Sequence, residues 1–220
     1  DDFFHSTLSL RYCLMTTKAH SELLIATNNA GKIRELANLL ANLPVRLRRL
    51  SEFPQISEVE ETGRTFAENA ELKARLYGRQ TNCWTLADDS GLEVDALGGA
   101  PGVLSARYAG AHATDEERNA RLLAELSLIG DEQLSARFIC AIALYEPGVE
   151  TAEVFSGVCE GRIARRPRGE GGFGYDPLFI PAGYEQTFGE LPAELKQQIS
   201  HRARALASVR TYLNERLPRA

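Results

Sequence analysis

The stretch Leu23-Leu24-Ile25-Ala26-Thr27-Asn28-Asn29-Ala30-Gly31-Lys32 decides the fold. Its first half is a short apolar run bounded by a polar turn, which reads as a buried strand. From Lys32 onward Ile33, Leu36, Ala37 and Leu40 recur at i, i+3, i+4 and i+7, the stripe of an amphipathic helix. Working outward, Thr65-x-x-Glu68 is a capping box that opens a second helix with Phe66, Ala70, Ala74 and Tyr77 on one side. A strand from Cys83 to Ala87 then runs into Asp88-Asp89-Ser90-Gly91, which reads as a polar turn at the strand's end. Thr114-x-x-Glu117 opens a third helix through Leu122, Leu123 and Leu126. Strands are expected around Arg137–Tyr145 and Glu150–Ser156, separated by Glu146-Pro147-Gly148, and a short one at Leu178–Ile180. Pro192 introduces one long C-terminal helix, Ala193 to Leu217. Strands interleaved with helices indicate an α/β fold, and strands joined by a tight Pro-Gly turn make the sheet mixed.

The 220 residues suit one domain or two small ones, at about 150 residues per domain. With 25 Lys and Arg against 30 Asp and Glu, the chain lacks the basic excess that general binding to duplex nucleic acid needs. A single small polyanion in a local basic pocket remains compatible with that balance. Cys13, Cys83, Cys140 and Cys159 form no C-x-x-C pair, so neither a zinc site nor a disulfide framework is suggested, and reduced thiols fit the cytoplasm. No apolar run approaches the roughly 20 residues of a membrane span. Met15 is the single methionine and is expected as the native start, with residues 1–14 an upstream extension and 15–220 one domain.

Four places carry chemistry. The turn Thr27–Lys32 at a helix start offers free N–H groups and a lysine to an anion. It is not a Walker A loop, because Ala26 and Ile33 stand where glycine and Ser/Thr are required. An ordinary turn reads from the same residues at least as well. Asp88-Asp89-Ser90-Gly91 places two carboxylates where α/β proteins bind ligands, one able to hold a hard cation while the other orients water. Glu58-Val59-Glu60-Glu61 adds oxygen ligands, although a solvated turn and a solvated face explain both runs equally. Gly169-Glu170-Gly171-Gly172-Phe173-Gly174-Tyr175-Asp176-Pro177 satisfies G-x-G-x-x-G formally, but Pro177 and Pro181 forbid the helix that a dinucleotide site requires. What remains is a loop presenting Phe173 and Tyr175 beside arginines, suited to stacking a base. Last, Lys196 and Ser200-His201-Arg202 lie on the C-terminal helix, where a lone histidine is more often structural.

Taken together these residues resemble the Ham1/inosine triphosphate pyrophosphatase family, specifically its bacterial non-canonical purine NTP pyrophosphatases. The resemblance covers about residues 22–213. It rests on Thr27–Lys32, on Glu60-Glu61-Thr62-Gly63 with Phe66-x-Glu68-Asn69-Ala70, and on Ala87-Asp88-Asp89-Ser90-Gly91-Leu92. Leu97-Gly98-Gly99-Ala100-Pro101-Gly102-Val103-x-Ser105-Ala106-Arg107-Tyr108, Gly172–Phe179, and Lys196 with Ser200-His201-Arg202 complete it. It implies an ITPase-like fold: a long mixed sheet with flanking helices, two lobes and a deep cleft, usually as a homodimer. It also implies hydrolysis of ITP, dITP and XTP to the monophosphate and pyrophosphate with Mg2+, and no nucleic-acid or membrane partner. On that resemblance Thr27, Asn28, Asn29, Ala30, Gly31 and Lys32 hold phosphates, Asp89 is catalytic and Ser90 touches substrate. Phe173, Gly174, Tyr175 and Asp176 line the base pocket, with Lys196, His201 and Arg202 on the base. The metal falls to Glu60 or Glu61 with Asp88 or Asp89. On one continuous helix Lys196 and Arg202 diverge by about 120°, so a division of labour is expected between them.

Overall fold

The computed structural model describes residues 22–130 and 134–216. The expectations on residues 1–14, Cys13, Met15 and Leu217 lie outside them. In chain order the elements are β1 (Glu22–Ile25), α1 (Ala30–Leu40), β2 (Arg46–Arg49), α2 (Phe66–Thr81), β3 (Trp84–Val94) and α3 (Asp115–Glu125). They continue with β4 (Ser135–Tyr145), β5 (Glu153–Ile163), β6 (Phe179–Pro181), α4 (Ala193–Ile199) and α5 (His201–Arg216). The strands form one six-stranded sheet in the order β2-β1-β3-β4-β5-β6. β1 runs parallel to β2 and β3, and the remaining neighbours are antiparallel, so the α/β fold with a mixed sheet is what the chain adopts. No helix of the described residues is long and apolar enough to cross a membrane.

The helix starts follow their caps. Asn29 Oδ1 accepts the Lys32 N–H at 3.0 Å, which sets the start of α1 at Ala30, two residues before the apolar stripe suggested. Thr114 and Glu117 close a complete box on α3. On α2 the Thr65 hydroxyl accepts from Glu68 N–H, but the Glu68 carboxylate accepts from Arg64 N–H instead of Thr65.

Elsewhere the structure corrects the sequence reading. Asp88-Asp89-Ser90-Gly91 is no turn: β3 runs straight through it and pairs with β4 from Thr85 to Val94. The charged β2 was not anticipated, because Arg46-Leu47-Arg48-Arg49 has no apolar face of its own. It is an edge strand whose Arg48 bonds Glu22 at 2.8 Å and Glu52 at 2.6 Å, and charge is how edges avoid further pairing. β5 continues past Ser156 to Ile163, and Gly157 and Gly161 within it are where other backbones come close. A Cβ on Gly157 would strike the His201 carbonyl and the Ala205 amide of α5, and one on Gly161 the Ile180 carbonyl of β6. The single C-terminal helix is two helices, because Ser200 adopts φ −68°, ψ 159° between them. The 120° divergence of Lys196 and Arg202 therefore does not apply.

Three packed cores divide the sheet. Leu23, Ile25, Trp84, Leu86 and Ile142 bury one face against Leu36, Leu40, Leu206 and Val209 of α1 and α5. Leu24, Ala26, Ala87, Ala141 and Ala143 bury the opposite face against Phe66, Ala70, Ala74 and Tyr77 of α2. Further along β3 and β4, Leu92, Val94, Ala136 and Phe138 join Leu122 of α3 and its C-cap Leu126, with Phe179 and Phe188. Asp88, Asp89 and Ser90 lie between these cores, at the waist of the long strand.

Gly157→Ala is expected to lift α5 off β5 and lower stability by about 1–3 kcal/mol, the range of an overpacked core. Thermal melting checks this; an unchanged Tm would show that the contact yields freely.

Candidate active site

Because β3 is extended through the acidic pair, its two-residue alternation sends Asp88 and Asp89 to opposite faces of the sheet. Asp88 shares the side of Leu86 and faces α1 and α5. Its Oδ1 meets Lys32 Nζ at 2.5 Å and the Ser90 hydroxyl at 3.0 Å, while its Oδ2 takes Arg202 Nε at 2.8 Å and the Cys140 thiol at 3.0 Å. Burial pushes this carboxyl up, but Arg202 and Lys32 outweigh burial and hold it well below the usual range. Asp89 faces α2, accepting from Asn69 Nδ2 at 3.1 Å and lying 3.4 Å from Lys73 Nζ. Here burial prevails over Lys73, and the carboxyl sits above its ordinary value.

Lys73 was missed by sequence reasoning. It continues the Phe66–Ala70–Ala74–Tyr77 stripe at i+7 from Phe66, so a lysine stood on a core-facing position, and that was the available signal. Its ammonium donates to Glu61 at 2.6 Å and to the Asp88 carbonyl at 2.8 Å. Glu61 thereby belongs to the cleft, whereas Glu60 is exposed on the surface beside Thr62 and Leu72.

Glu35 was also missed, although it is i+3 from Lys32 on α1 and so shares its side of the helix. Its carboxylate bridges Lys196, at 2.7 Å, and Arg202. Lys196 pairs in turn with Asp176, whose Oδ2 also accepts the Phe173 N–H at 2.8 Å. The result is an unbroken chain of buried charge, Asp88–Arg202–Glu35–Lys196–Asp176, running from β3 through α5, α1 and α4 to the glycine-rich loop. Arg202 is 1% exposed and Asp176 2%. Phe173 lies over Gly31, whose missing Cβ would stand 2.6 Å from the ring, and Lys196 caps that ring at 4.9 Å.

His201 stacks on Phe138 with ring centroids 4.7 Å apart, and its buried Nδ1 has no partner among the described residues. Burial first, then the charges of Arg202 and Lys196, hold its pKa well below the usual value, so the ring is neutral. The break at Ser200 brings Lys196, His201 and Arg202 onto one cleft of about 220 Å³. Thr27, Asn29 and Lys32 line its α1 side, Glu61, Asp89 and Ser90 its floor, and Phe173 to Asp176 its far wall. Asn28 and Ala30 are exposed beside it, Gly31 lies beneath Phe173, and Asp88 is buried under the floor.

A cleft that combines a helix start, an acid-lined floor and an aromatic loop invites comparison with known proteins. The model of the Ham1 family matches residues 23–212. The chain belongs to the Ham1 family. It is 53% identical to the dITP/XTP pyrophosphatase of Geobacillus kaustophilus, over 86% of this chain and 92% of that one. With the dITP/XTP pyrophosphatase of Geobacter sulfurreducens the identity is 51%, over 88% of this chain and 96% of the relative. Among solved structures, a HAM1 protein from Coxiella burnetii superposes with TM-score 0.80 at 45% identity, covering 88% of this chain and 98% of that one. The Staphylococcus aureus Ham1 protein gives 0.79 at 41%, covering 89% and 99%. The shared sheet and flanking helices make this the Ham1 fold.

In this Ham1 protein Asp88 balances two cations and has no route to water. Asp88→Asn is expected to destabilise by about 3–5 kcal/mol by leaving Arg202 uncompensated, a Tm loss of roughly 6–20 °C. The depressed carboxyl stabilises the fold above the unfolded value of about 3.9 and loses that contribution as pH falls through its own lower value. The gap between parent and variant should therefore be full at pH 7 and narrow only below about pH 4. Equal melting at pH 7 would contradict the ion-pair account.

Proposed function

We infer that this chain hydrolyses non-canonical purine nucleoside triphosphates, dITP, XTP and ITP, to the monophosphate and pyrophosphate. The observation that carries the reading is about half identity to curated dITP/XTP pyrophosphatases across nearly the whole described chain, joined to a cleft with an acid floor and an aromatic wall.

The phosphates fall to the α1 start, where helix N–H groups, the helix dipole and Lys32 offer positive charge. Lys32 is held by Asp88 at 2.5 Å, so a triphosphate competes for it against a buried carboxylate. Asp89, with its raised pKa, accepts a proton from the attacking water and aligns it with the α-phosphorus. Asn69 and Lys73 fix the orientation of that carboxylate.

Mg2+ fits this floor. Among the described residues no three His, Cys, Asp or Glu side chains cluster as a metal cage, but Mg2+ uses one or two carboxylates and completes its shell with water and phosphate oxygens. Asp89 and Glu61, gathered on one Lys73 ammonium, supply such a pair. Glu60 points away and the oxygens of Asp88 are taken, so neither suits the role. When bound, the cation neutralises charge that develops on the phosphate oxygens.

The base meets Phe173 to Asp176, Lys196, His201 and Arg202. Cationic donors favour a 6-oxo acceptor and face a 6-amino group donor against donor, which selects inosine and xanthine over adenine.

Asp89→Asn is expected to lower kcat by at least about 100-fold with ITP affinity changed little. Turnover and equilibrium binding measured on one preparation check this; undiminished turnover would remove Asp89 from the chemistry.

A further inference from the structure

Both backbone polar groups of Gly174 are held by one helix. The Gly174 N–H donates to Asp115 Oδ2 at 2.6 Å, and its carbonyl accepts from Asn119 Nδ2 at 3.1 Å. Asp115 and Asn119 stand four residues apart on α3 and so share a face. Asp115 is itself fixed, because its other oxygen pairs with Arg118, which also donates to the Ala106 carbonyl at 3.0 Å and to that of Ala113. Asn119 is 5% exposed, and its Oδ1 has no partner among the described residues. Burying an amide with one end unsatisfied is unfavourable, and an apolar side chain would fill the space without that penalty. Among the described residues, the one side-chain bond that Asn119 makes to another element is the one to Gly174.

Gly174 matters through its neighbours. It sits at φ +63°, a conformation that glycine adopts freely, and nothing lies within 4 Å of where a Cβ would be. Phe173, before it, lies on Gly31 beneath the Lys196 ammonium. Tyr175, after it, donates its hydroxyl to the Ser105 carbonyl at 3.0 Å, and Asp176 pairs with Lys196. Rotation at Gly174 would move the aromatic wall and the Lys196 partner together.

We propose that Asp115 and Asn119 are positioning residues for nucleotide-base recognition, acting through the backbone of Gly174. Helix α3 sets the place of Phe173 and of the Asp176–Lys196 pair, and Asn119 does this without lining the cleft. The inference rests on the reading of residues 173–176 as the base site. The phosphate and water-activating groups lie on β3, α1 and α2, so the clamp governs affinity and leaves the chemical step alone.

Two measurements on Asn119→Ala, Asn119→Asp and Asp115→Ala test it. The aspartate variant keeps the size of Asn119 but replaces its N–H donor with a carboxylate, and Asp115→Ala decides the matter if the Asn119 variants fail to fold. In each folded variant KM for ITP should rise by about tenfold or more, as for the loss of one or two hydrogen bonds, with kcat within about threefold. In the ligand-free protein, amide exchange across residues 171–177 should quicken by about tenfold or more while strand β4 is unchanged. Gly174→Ala, strained only by its own φ, should reproduce the KM effect. Unchanged exchange in a folded Asp115 variant, or a kcat loss at constant KM, would overturn the clamp. A parent chain inactive on ITP would overturn the functional reading instead, and the exchange measurement would still decide the clamp.

Discussion

A carboxylate buried between a guanidinium and an ammonium is the constraint on which this molecule turns. Asp88 is 1% exposed, and Arg202 and Lys32 occupy it from two helices. Such an arrangement is unfavourable to desolvate and far more unfavourable to break, because any one partner removed leaves a buried charge behind. Lys32, Lys196 and Arg202 are matched by Asp88, Glu35 and Asp176, so the buried chain is balanced. Each link crosses to another element. Strand β3, helices α1, α4 and α5 and the glycine-rich loop are thus indexed to one another by charge, where apolar packing alone would let them slide.

The long strand explains why the balance is struck at the waist. β3 leaves two of the cores at Ala87 and enters the third at Leu92, and Asp89, Ser90 and Gly91 between them line the cleft. Alternation then separates two adjacent aspartates into different tasks. Asp88 faces cations and stays ionised, whereas Asp89 faces Lys73 and Asn69 and has its pKa raised by burial. Two identical side chains acquire distinct acidities from a single change of face.

Much of this was legible in the chain. The strand-to-helix step at Leu23–Lys32, the caps at Thr65 and Thr114 and the antiparallel pair around Pro147 all act within a few residues, and the α/β fold with a mixed sheet followed from them. Where distant contacts decide, the reading failed. Asp88–Gly91 has the composition of a turn and is held extended by ten residues of pairing with β4. The strand expected to end at Ser156 runs on to Ile163, with Gly157 a seat for α5. Ser200 interrupts the helical pattern by capping α5, its Oγ accepting the Ala203 N–H at 3.2 Å, while Lys196 and Arg202 both reach Glu35. The Thr27–Lys32 turn and the glycine-rich loop were visible as motifs, yet Glu35, which bridges Lys196 and Arg202, and Lys73, which meets Glu61 and Asp89, look like ordinary helix residues until the charges they meet are known.

The most direct test of the account is pyrophosphate release by the parent chain across dITP, XTP, ITP and ATP, with Mg2+ present. The proposed base site, with cationic donors meeting a 6-oxo group, predicts that dITP, XTP and ITP exceed ATP in kcat/KM by about 100-fold or more, the scale of two charge-assisted hydrogen bonds. Comparable turnover of ATP would contradict it, and the cleft would then be a phosphate site that does not read the base.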